Sequence, residues 1–134
     1  DLDYFKRIND TYGHGVGDEV LRRTAGAIQE VTRACDLCTR FGGEEFAIVL
    51  NQSGVEDATR VAERILECLR GIEVRAGEEI VRITGSGGLA SCTSEAGANC
   101  TPEHVLKMAD EALYEAKSQG RDQLVTRSVT EDAS

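Results

Sequence analysis

The sequence lacks any long hydrophobic run. No segment approaches the roughly 18 consecutive apolar residues that a membrane-spanning helix needs, and no signal peptide is visible. These absences predict a cytoplasmic domain that makes no direct membrane contact. Any attachment to a membrane would have to come from sequence outside this chain.

The sequence also has no excess of basic residues. The chain carries 15 Lys and Arg against 24 Asp and Glu, which gives a formal net charge of −9. A surface that binds nucleic acid needs a basic patch or stripe, so this balance argues against nucleic acid as a partner. If the chain binds a phosphate compound, local cations or a divalent metal ion must overcome the negative field of the whole domain.

No internal repeat, low-complexity segment or linker divides the chain. Its 134 residues, 40% hydrophobic and 29% charged, fit one globular domain that can bury a core without disulfides or structural metal. The five cysteines are odd in number and irregularly spaced, which predicts free, packed thiols in a reducing compartment. Cys35 and Cys38 form a C-x-x-C pair, but no second ligand pair completes a zinc site.

Hydrophobic periodicity predicts four helices. A short helix covers residues 4–10 and stops at Gly13, and a second helix follows the flexible glycines with Asp18 as its N-cap. The third covers Val55–Arg70, and the fourth begins at Thr101-Pro102 and meets Gly120. Strands are predicted at residues 37–41, 46–50, 72–74, 80–83 and 124–125. This alternation predicts an α/β (α+β) fold, a mixed sheet covered by helices.

Two further segments are interpreted from small or polar residues. Gly85, Gly87 and Gly88 predict a stretch where two backbones pass closely. The domain is expected to cover residues 1–127, and the polar residues 128–134 predict a frayed, disordered tail.

The two strands at 37–41 and 46–50 meet at Phe41-Gly42-Gly43-Glu44-Glu45-Phe46. The glycine pair is expected to supply the positive φ angles of a tight turn. The apolar run after it predicts a buried strand, which would place Glu44 and Glu45 on a rigid hairpin at the edge of the core. A solvated turn with surface acids is the alternative that this segment alone favours.

Charged and amide side chains suggest a phosphate and nucleobase site. Carboxylates at Asp1, Asp3 and Glu44 could converge on a hard cation such as Mg²⁺, unless Asp1 is only a charged terminus. Lys6, Lys117 and Arg121 are candidate phosphate ligands, although the last two also suit a helix C-terminus.

An amide at Asn9 with a carboxylate at Asp18 can read the edge of guanine, and both also suit helix ends. His14 lies among glycines, where a surface histidine is the default.

Three ordered motifs resemble the GGDEF family of diguanylate cyclases. Residues 1–18 resemble its D-x-D-x-F-K-x-x-N-D…G-H-x-x-G-D stretch, residues 40–46 its signature in the GGEEF form, and residues 109–122 its closing helix. The match extends to about Val125, and three motifs at family spacing are far more specific than one.

The resemblance implies a fold like adenylyl cyclase cores and polymerase palms, with a central, mainly antiparallel sheet wrapped by helices. It implies that a homodimer condenses two GTP into cyclic di-GMP with loss of pyrophosphate.

Carried over by position, Asp1, the Leu2 carbonyl and Glu44 would hold Mg²⁺ or Mn²⁺. Glu45 is our candidate for deprotonating the hydroxyl. Guanine would be read by Asn9 and Asp18 with His14 nearby, and the phosphates would be held by the backbone at Tyr4 and Phe5 and by Lys6, Lys117 and Arg121.

A second site is implied at Arg33 and Asp36. This R-x-x-D pattern lies where the family binds cyclic di-GMP as an inhibitor, and Arg64 matches a second contributing arginine. The arginine fork suits phosphate and the guanine Hoogsteen edge. By pattern alone, however, the pair could be a simple surface ion pair.

The family usually has about 30 more residues before this start. We therefore expect an N-terminally truncated domain with its first strand reduced to the last residues, taken from the C-terminal output module of a longer signalling protein. The alternatives to an enzyme are a catalytically silent module that binds GTP or cyclic di-GMP, and a mere dimerisation unit. The intact Lys6, Asp18 and Glu44 favour the enzyme.

Overall fold

Helices and strand pairs alternate along the chain. The computed structural model describes residues 1–33, 36–50, 54–92 and 100–129. The elements within these residues are α1 Phe5–Tyr12, α2 His14–Val31, β1 Leu37–Arg40, β2 Phe46–Val49, α3 Val55–Arg70, β3 Glu73–Ala76, β4 Glu79–Arg82, β5 Gly87–Cys92, α4 Pro102–Ser118 and β6 Leu124–Val129. The predicted mixed helix and strand architecture is confirmed. Among the described helices, none combines the length and the hydropathy that crossing a bilayer requires.

The strands pair in twos. β1 with β2 and β3 with β4 are antiparallel, and β5 with β6 is parallel. Their hydrogen-bonded ladders form three separate two-stranded sheets within the described residues. The first three residues lie between two of these sheets: Leu2 N donates to Glu44 O at 3.2 Å, and Asp3 N donates to Thr84 O at 2.9 Å. The chain start therefore fixes the β1–β2 loop against the segment that enters β5.

The core forms where the helices cover β3 and β4. Val20 of α2, Leu66 and Leu69 of α3, and Val74 and Val81 of the two strands belong to one buried cluster. Burying each such side chain contributes about 1.5–3 kcal/mol of transfer free energy. The apolar stripes that predicted α2 and α3 thus face this cluster, and the bounds predicted for α3 are confirmed.

The start of α2 differs from the prediction. The helix begins at His14, so Asp18 lies inside it and is not an N-cap. Gly13, with φ 91°, separates α1 from α2. A Cβ on Gly17 would collide with the side chain of Asn9, so this glycine serves close packing of α1 on α2, where a flexible entry was predicted.

The hairpin loop is also wider than predicted. Neither Gly42 nor Gly43 has a positive φ angle. Residues 41–45 form a longer loop, closed by Phe41 N donating to Glu45 O at 2.7 Å, and a loop of this length does not need the left-handed conformation of a two-residue turn. The strand after it is half-exposed rather than buried, with Val49 52% exposed.

The glycine-rich segment forms a strand that its composition did not predict. In β5, a Cβ on Gly88 would clash with the backbone of α4 at Ala109 and Leu113, which confirms the expected close passage of two backbones. Pairing with β6 and this packing outweigh the poor strand propensity of glycine. Because β6 includes Ser128, the predicted tail boundary is too early; residues 130–134 lie outside the described part.

Not all of the cysteines are the free thiols that the sequence predicts. Cys92, at the end of β5, and Cys100, just before α4, form a disulfide with a Cα–Cα distance of 5.9 Å. This disulfide is contrary to the prediction of free thiols in a reducing compartment, where disulfides are rare. Cys38 and Cys68 are free, and burial raises the pKa of the Cys38 thiol. Cys35, the other cysteine of the C-x-x-C pattern, lies outside the described residues.

Candidate functional site

The candidate metal ligands meet at the chain start. The hydrogen bond from Leu2 N to Glu44 O places the backbone of the hairpin loop beside residues 1–3. The Asp1 side chain is only 6% exposed, and its Oδ2 lies 3.0 Å from Lys117 Nζ, at the end of α4. The structure therefore brings Asp1, Leu2, Glu44 and Lys117 to one region, although Asp1 pairs with a candidate phosphate ligand.

The amino group of Asp1 is held in the same region. It donates to Ser86 O at 3.0 Å. Burial lowers the pKa of this amino group from its ordinary value, and the nearby Lys117 cation lowers it further. Glu44 and Glu45 act on it in the opposite direction, which shows that both hairpin acids are electrostatic neighbours of the chain start.

Oxygen donors are available there for a hard cation. Among the described residues, no hydrogen bond to the Leu2 carbonyl is made, and no cluster of three or more His, Cys, Asp or Glu side chains occurs. A cation at this place would have to be held by the Asp1 and Glu44 carboxylates with the Leu2 carbonyl. Two carboxylates and a carbonyl are ligands that Mg²⁺ accepts, with water or phosphate completing its shell.

The N-terminus of α1 follows directly. Tyr4 precedes the helix in a left-handed conformation, φ 55° and ψ 31°, and no side chain caps the helix. The first turn of a helix leaves backbone N–H groups without helical partners, which favours anions. Phe5 anchors this turn because its side chain is buried, while Lys6 is exposed.

Arginines flank Tyr4 on the same surface. The Arg7 and Arg121 guanidinium carbons lie 4.6 and 4.8 Å from the centroid of its ring. Arg121 lies in the turn after α4 and has a positive φ of 65°. The two predicted phosphate ligands Lys117 and Arg121 thus reach the chain start from one helix end.

The two residues of the predicted guanine-reading pair lie on different helices, Asn9 in α1 and Asp18 in α2. Asn9 packs its side chain against Gly17, the residue before Asp18. Asp18 and His14 are both exposed, Asp18 in the second turn of α2 and His14 at its first residue. The structure therefore brings Asn9 next to Gly17, one residue before Asp18 in the chain.

Sequence reasoning missed the role of Asp3. The sequence predicts Asp3 as a possible metal ligand, whereas in the structure the residue is 4% exposed and its carboxylate accepts hydrogen bonds from Thr84, Ser86 and Asp122. No sequence pattern pointed to these partners, because they lie more than 80 residues away along the chain. Its spacing from Asp1 is the only signal that the sequence offered.

Arg33 and Asp36 of the second predicted site form an ion pair. Arg33 N donates to Asp36 Oδ2 at 2.8 Å, and Arg33 NH2 lies 3.4 Å from Asp36 Oδ1, whose side chain is 1% exposed. Arg33 itself is exposed. Arg64 lies on α3 at an open groove of about 650 Å³, whose lining residues include neither Arg33 nor Asp36.

The chain is similar to a known protein family over most of its length. Residues 1–123 match the family model described as "Diguanylate cyclase, GGDEF domain". Response regulator PleD of Caulobacter vibrioides is 44% identical over 130 residues, and diguanylate cyclase A of Treponema denticola is 38% identical over 124 residues. These alignments cover 96% and 92% of this chain but only 28% and 33% of the two relatives, so the chain spans about a third of their length or less.

Solved structures show the same similarity. Diguanylate cyclase SiaD of Pseudomonas aeruginosa, in complex with its activator SiaC, superposes with a TM-score of 0.85 at 41% identity, covering 95% of this chain and 47% of that one. The GGDEF domain of DgcB from Caulobacter crescentus, in complex with c-di-GMP, gives a TM-score of 0.85 at 32% identity, covering 94% of this chain and 73% of that one. The fold is therefore the palm-like fold of these domains.

Proposed function

Because this chain belongs to the GGDEF family of diguanylate cyclase domains, we propose that it condenses two GTP molecules into cyclic di-GMP with release of pyrophosphate. The observation that carries this proposal is the convergence at the chain start. Asp1, Leu2 and the Glu44 backbone meet there, next to the N-terminus of α1 and to Lys117. Acidic oxygens beside cationic groups and helix N–H groups suit a metal-bound triphosphate.

The Asp1 carboxylate, the Leu2 carbonyl and the Glu44 carboxylate would hold Mg²⁺ or Mn²⁺. When bound, such an ion would stabilise charge on the reacting phosphate oxygens. The hydrogen-bond geometry leaves the Leu2 carbonyl available within the described residues. Lys117 at 3.0 Å from Asp1 Oδ2 already provides one positive charge beside that carboxylate.

The triphosphate would be bound by the first turn of α1. The phosphates would contact the backbone N–H groups of Tyr4 and Phe5 and the exposed Lys6. Arg121, which lies over the ring of Tyr4, and Lys117, which pairs with Asp1, would add two positive charges. Guanine would be read by Asn9 and Asp18, with His14 nearby. A carboxylate that accepts from two guanine N–H groups has no such donor pair on adenine, and this favours GTP over ATP.

One site holds one GTP, so two protomers must face each other before either 3′-hydroxyl reaches an α-phosphorus. Proximity of the two GTP molecules would then be the main source of rate enhancement, and dimerisation would switch the activity on. Glu45 is exposed next to the proposed metal ligand Glu44, where it could take the proton of the hydroxyl.

The product would bind at Arg33 and Asp36 and hold two domains in a nonproductive arrangement, with Arg64 contributing from α3. The buried Asp36 carboxylate supports this proposal, because it fixes the backbone and the side chain of Arg33 on an otherwise exposed surface.

The direct test is to incubate the purified protein with GTP and Mg²⁺ and to analyse the products by chromatography with mass spectrometry. Cyclic di-GMP and pyrophosphate are expected, and ATP should give no cyclic product. Binding of GTP without any product would contradict the proposed enzyme and favour a silent binding module.

A further inference from the structure

The carboxylate of Asp3 connects three segments of the chain. Its Oδ1 accepts a hydrogen bond from Ser86 Oγ at 2.6 Å, and its Oδ2 accepts from Thr84 Oγ1 at 2.6 Å and from Asp122 N at 3.0 Å. The residue is 4% exposed. A carboxylate is tolerated in such a place only when donors surround it, so these bonds fix the relative positions of the three segments.

The segment that Asp3 holds after α4 is an unusual turn. Gly120, Arg121 and Asp122 have φ angles of 117°, 65° and 49°, three consecutive residues in the left-handed region. A non-glycine residue persists there only when its surroundings impose the conformation. Arg121 N donates to Ala116 O at 3.0 Å, and Asp122 N donates to Asp3, so each of the two non-glycine residues is held by its own N–H group.

A second contact holds the same turn from outside. Arg70, the last residue of α3, donates from Nε to Asp122 Oδ1 at 2.7 Å and from NH2 to Asp122 O at 3.3 Å. Both side chains are nearly half-exposed, so this pair is expected to hold the turn less strongly than the buried Asp3 carboxylate does.

The turn carries Arg121 to the ring of Tyr4, with 4.8 Å between the guanidinium carbon and the ring centroid. Tyr4 follows Asp3 directly in the sequence and precedes α1 in its own left-handed conformation. The Asp3 backbone is fixed as well, since its N–H donates to Thr84 O at 2.9 Å. Asp3 thus bonds to the turn that carries Arg121 and directly precedes Tyr4 in the chain.

We infer that Asp3 is a positioning residue, which through the N–H of Asp122 holds Arg121 beside the N-terminus of α1 for contact with the triphosphate. This inference rests on the proposed function and deepens it. Asp3 itself touches neither GTP nor metal. Its loss should therefore weaken GTP binding through Arg121, and a variant that already lacks Arg121 should be insensitive to it.

The test is a double-mutant cycle on the KM for GTP. Asp3→Ala and Arg121→Ala are each expected to raise KM by about tenfold, as coupled neighbours can, while the double variant should be no worse than Arg121→Ala alone. Asp3→Asn should restore most of the affinity, because its amide oxygen can still accept from Asp122 N. If the KM of the double variant rises by the product of the two single increases, the inference is overturned.

Asp3→Ala leaves three donors in a buried place, so the variant could fail to fold. Arg70→Ala keeps the experiment decisive, because its side chain is exposed and its loss disturbs only the turn. We expect KM to rise about two- to threefold, again only when Arg121 is present. Arg60→Ala, which removes another exposed ion pair of α3, is the matched control and should leave KM unchanged. Equal KM values for Arg70→Ala and Arg60→Ala would contradict a role of the Arg70 pair in holding the turn. A KM for Asp3→Asn as high as that of Arg121→Ala would contradict the positioning role of Asp3, because the amide oxygen can still accept from Asp122 N.

The readout separates this inference from the proposed function. If the wild-type protein makes no cyclic di-GMP, the enzymatic proposal fails, and the same cycle is measured as affinity for a non-hydrolysable GTP analogue by calorimetry. Coupling between Asp3 and Arg121 in that measurement would support the positioning role alone. Absence of analogue binding by the wild-type protein would overturn both.

Discussion

Lys117 Nζ lies 3.0 Å from Asp1 Oδ2, and this ion pair joins the end of α4 to the first residue of the chain. The Asp1 side chain is 6% exposed and the Lys117 side chain 33% exposed, so the carboxylate depends on its partner far more than the lysine does. Both residues also belong to the proposed site, one as a metal ligand and the other as a phosphate ligand. The pair therefore makes stability and ligand binding interdependent.

Removal of the lysine tests this interdependence. We expect Lys117→Ala to lower the free energy of unfolding by about 1–3 kcal/mol, because it leaves the Asp1 carboxylate buried without its cation. Mg²⁺ at the proposed site would replace the missing charge. Thermal unfolding with and without millimolar Mg²⁺ should then show a larger stabilisation by the ion in Lys117→Ala than in the wild-type protein.

The matched control for this measurement is Lys107→Ala, which removes an exposed lysine from the same helix. It should unfold like the wild-type protein at every Mg²⁺ concentration. An equal response of all three proteins to Mg²⁺ would mean that Asp1 does not contribute to a metal site.

The side chain of Glu44 offers a separate test of the metal site. Glu44→Ala should abolish turnover, with a loss of at least about 100-fold in kcat, because charge stabilisation at the phosphate depends on the bound ion. The fold should survive, since Leu2 N bonds to the backbone carbonyl of Glu44 and not to its side chain. Cyclic di-GMP formation and the thermal midpoint are measured together.

Glu78→Ala provides the control, because Glu78 is an exposed acid in the other hairpin loop, between β3 and β4. Its activity should match that of the wild-type protein. Retained activity in Glu44→Ala would refute the assignment of this residue, whereas activity lost together with the thermal transition would place Glu44 in folding instead.

Substitution by alanine should have opposite effects on the stability of the domain at Gly88 and at Gly26. A Cβ on Gly88 would meet the backbone of Ala109 and Leu113, which cannot move aside as a side chain could. Gly88→Ala should therefore destabilise the domain by about 1–3 kcal/mol, the cost typical of overpacking. A Cβ on Gly26, within α2, meets nothing within 4 Å, so Gly26→Ala should stabilise by about 0.5–1 kcal/mol.

Denaturant unfolding of the two variants measures both changes. If Gly88→Ala is as stable as the wild-type protein, β5 and α4 do not pack as closely as described. A destabilised Gly26→Ala would show that α2 has a neighbour at this face.

These glycines also show what the sequence could predict. Periodicity was sufficient for α3 and α4, because a long apolar stripe specifies a helix whatever it packs against. It failed for β5, where the strand exists because Gly88 allows α4 to approach. Likewise, the glycine pair Gly42-Gly43 predicts a tight turn, and this prediction is wrong. The loop is longer because the hydrogen bond that closes it, from Phe41 N to Glu45 O, joins residues outside the pair.

The candidate site shows the same limit. Motif spacing predicts one site for Asp1 and Glu44, and in the structure Leu2, the residue after Asp1, bonds to the Glu44 backbone. The pairing of Asn9 with Asp18 at a guanine stays a prediction. It gave no sign of the bonds from Asp3 to Thr84, Ser86 and Asp122, because buried polar contacts between distant segments leave no local pattern.

The ion pair of Arg33 and Asp36 carries the last prediction. Arg33→Ala should relieve product inhibition, raising the concentration of cyclic di-GMP that halves the rate by at least about tenfold, because an arginine fork contributes two charge-assisted hydrogen bonds to a phosphate or a guanine edge. The rate without added product should stay unchanged, since no described contact joins Arg33 to Asp1, Glu44 or Lys117. Initial rates at increasing cyclic di-GMP measure both quantities.

Arg22→Ala is the matched control for this experiment. It also removes an exposed arginine that pairs with an acid three residues away, Glu19, but it lies on α2 outside the proposed product site. Inhibition in Arg22→Ala should equal that of the wild-type protein. If Arg33→Ala is inhibited just as strongly, the pair of Arg33 and Asp36 only fixes the chain between α2 and β1, and the product must act at another place.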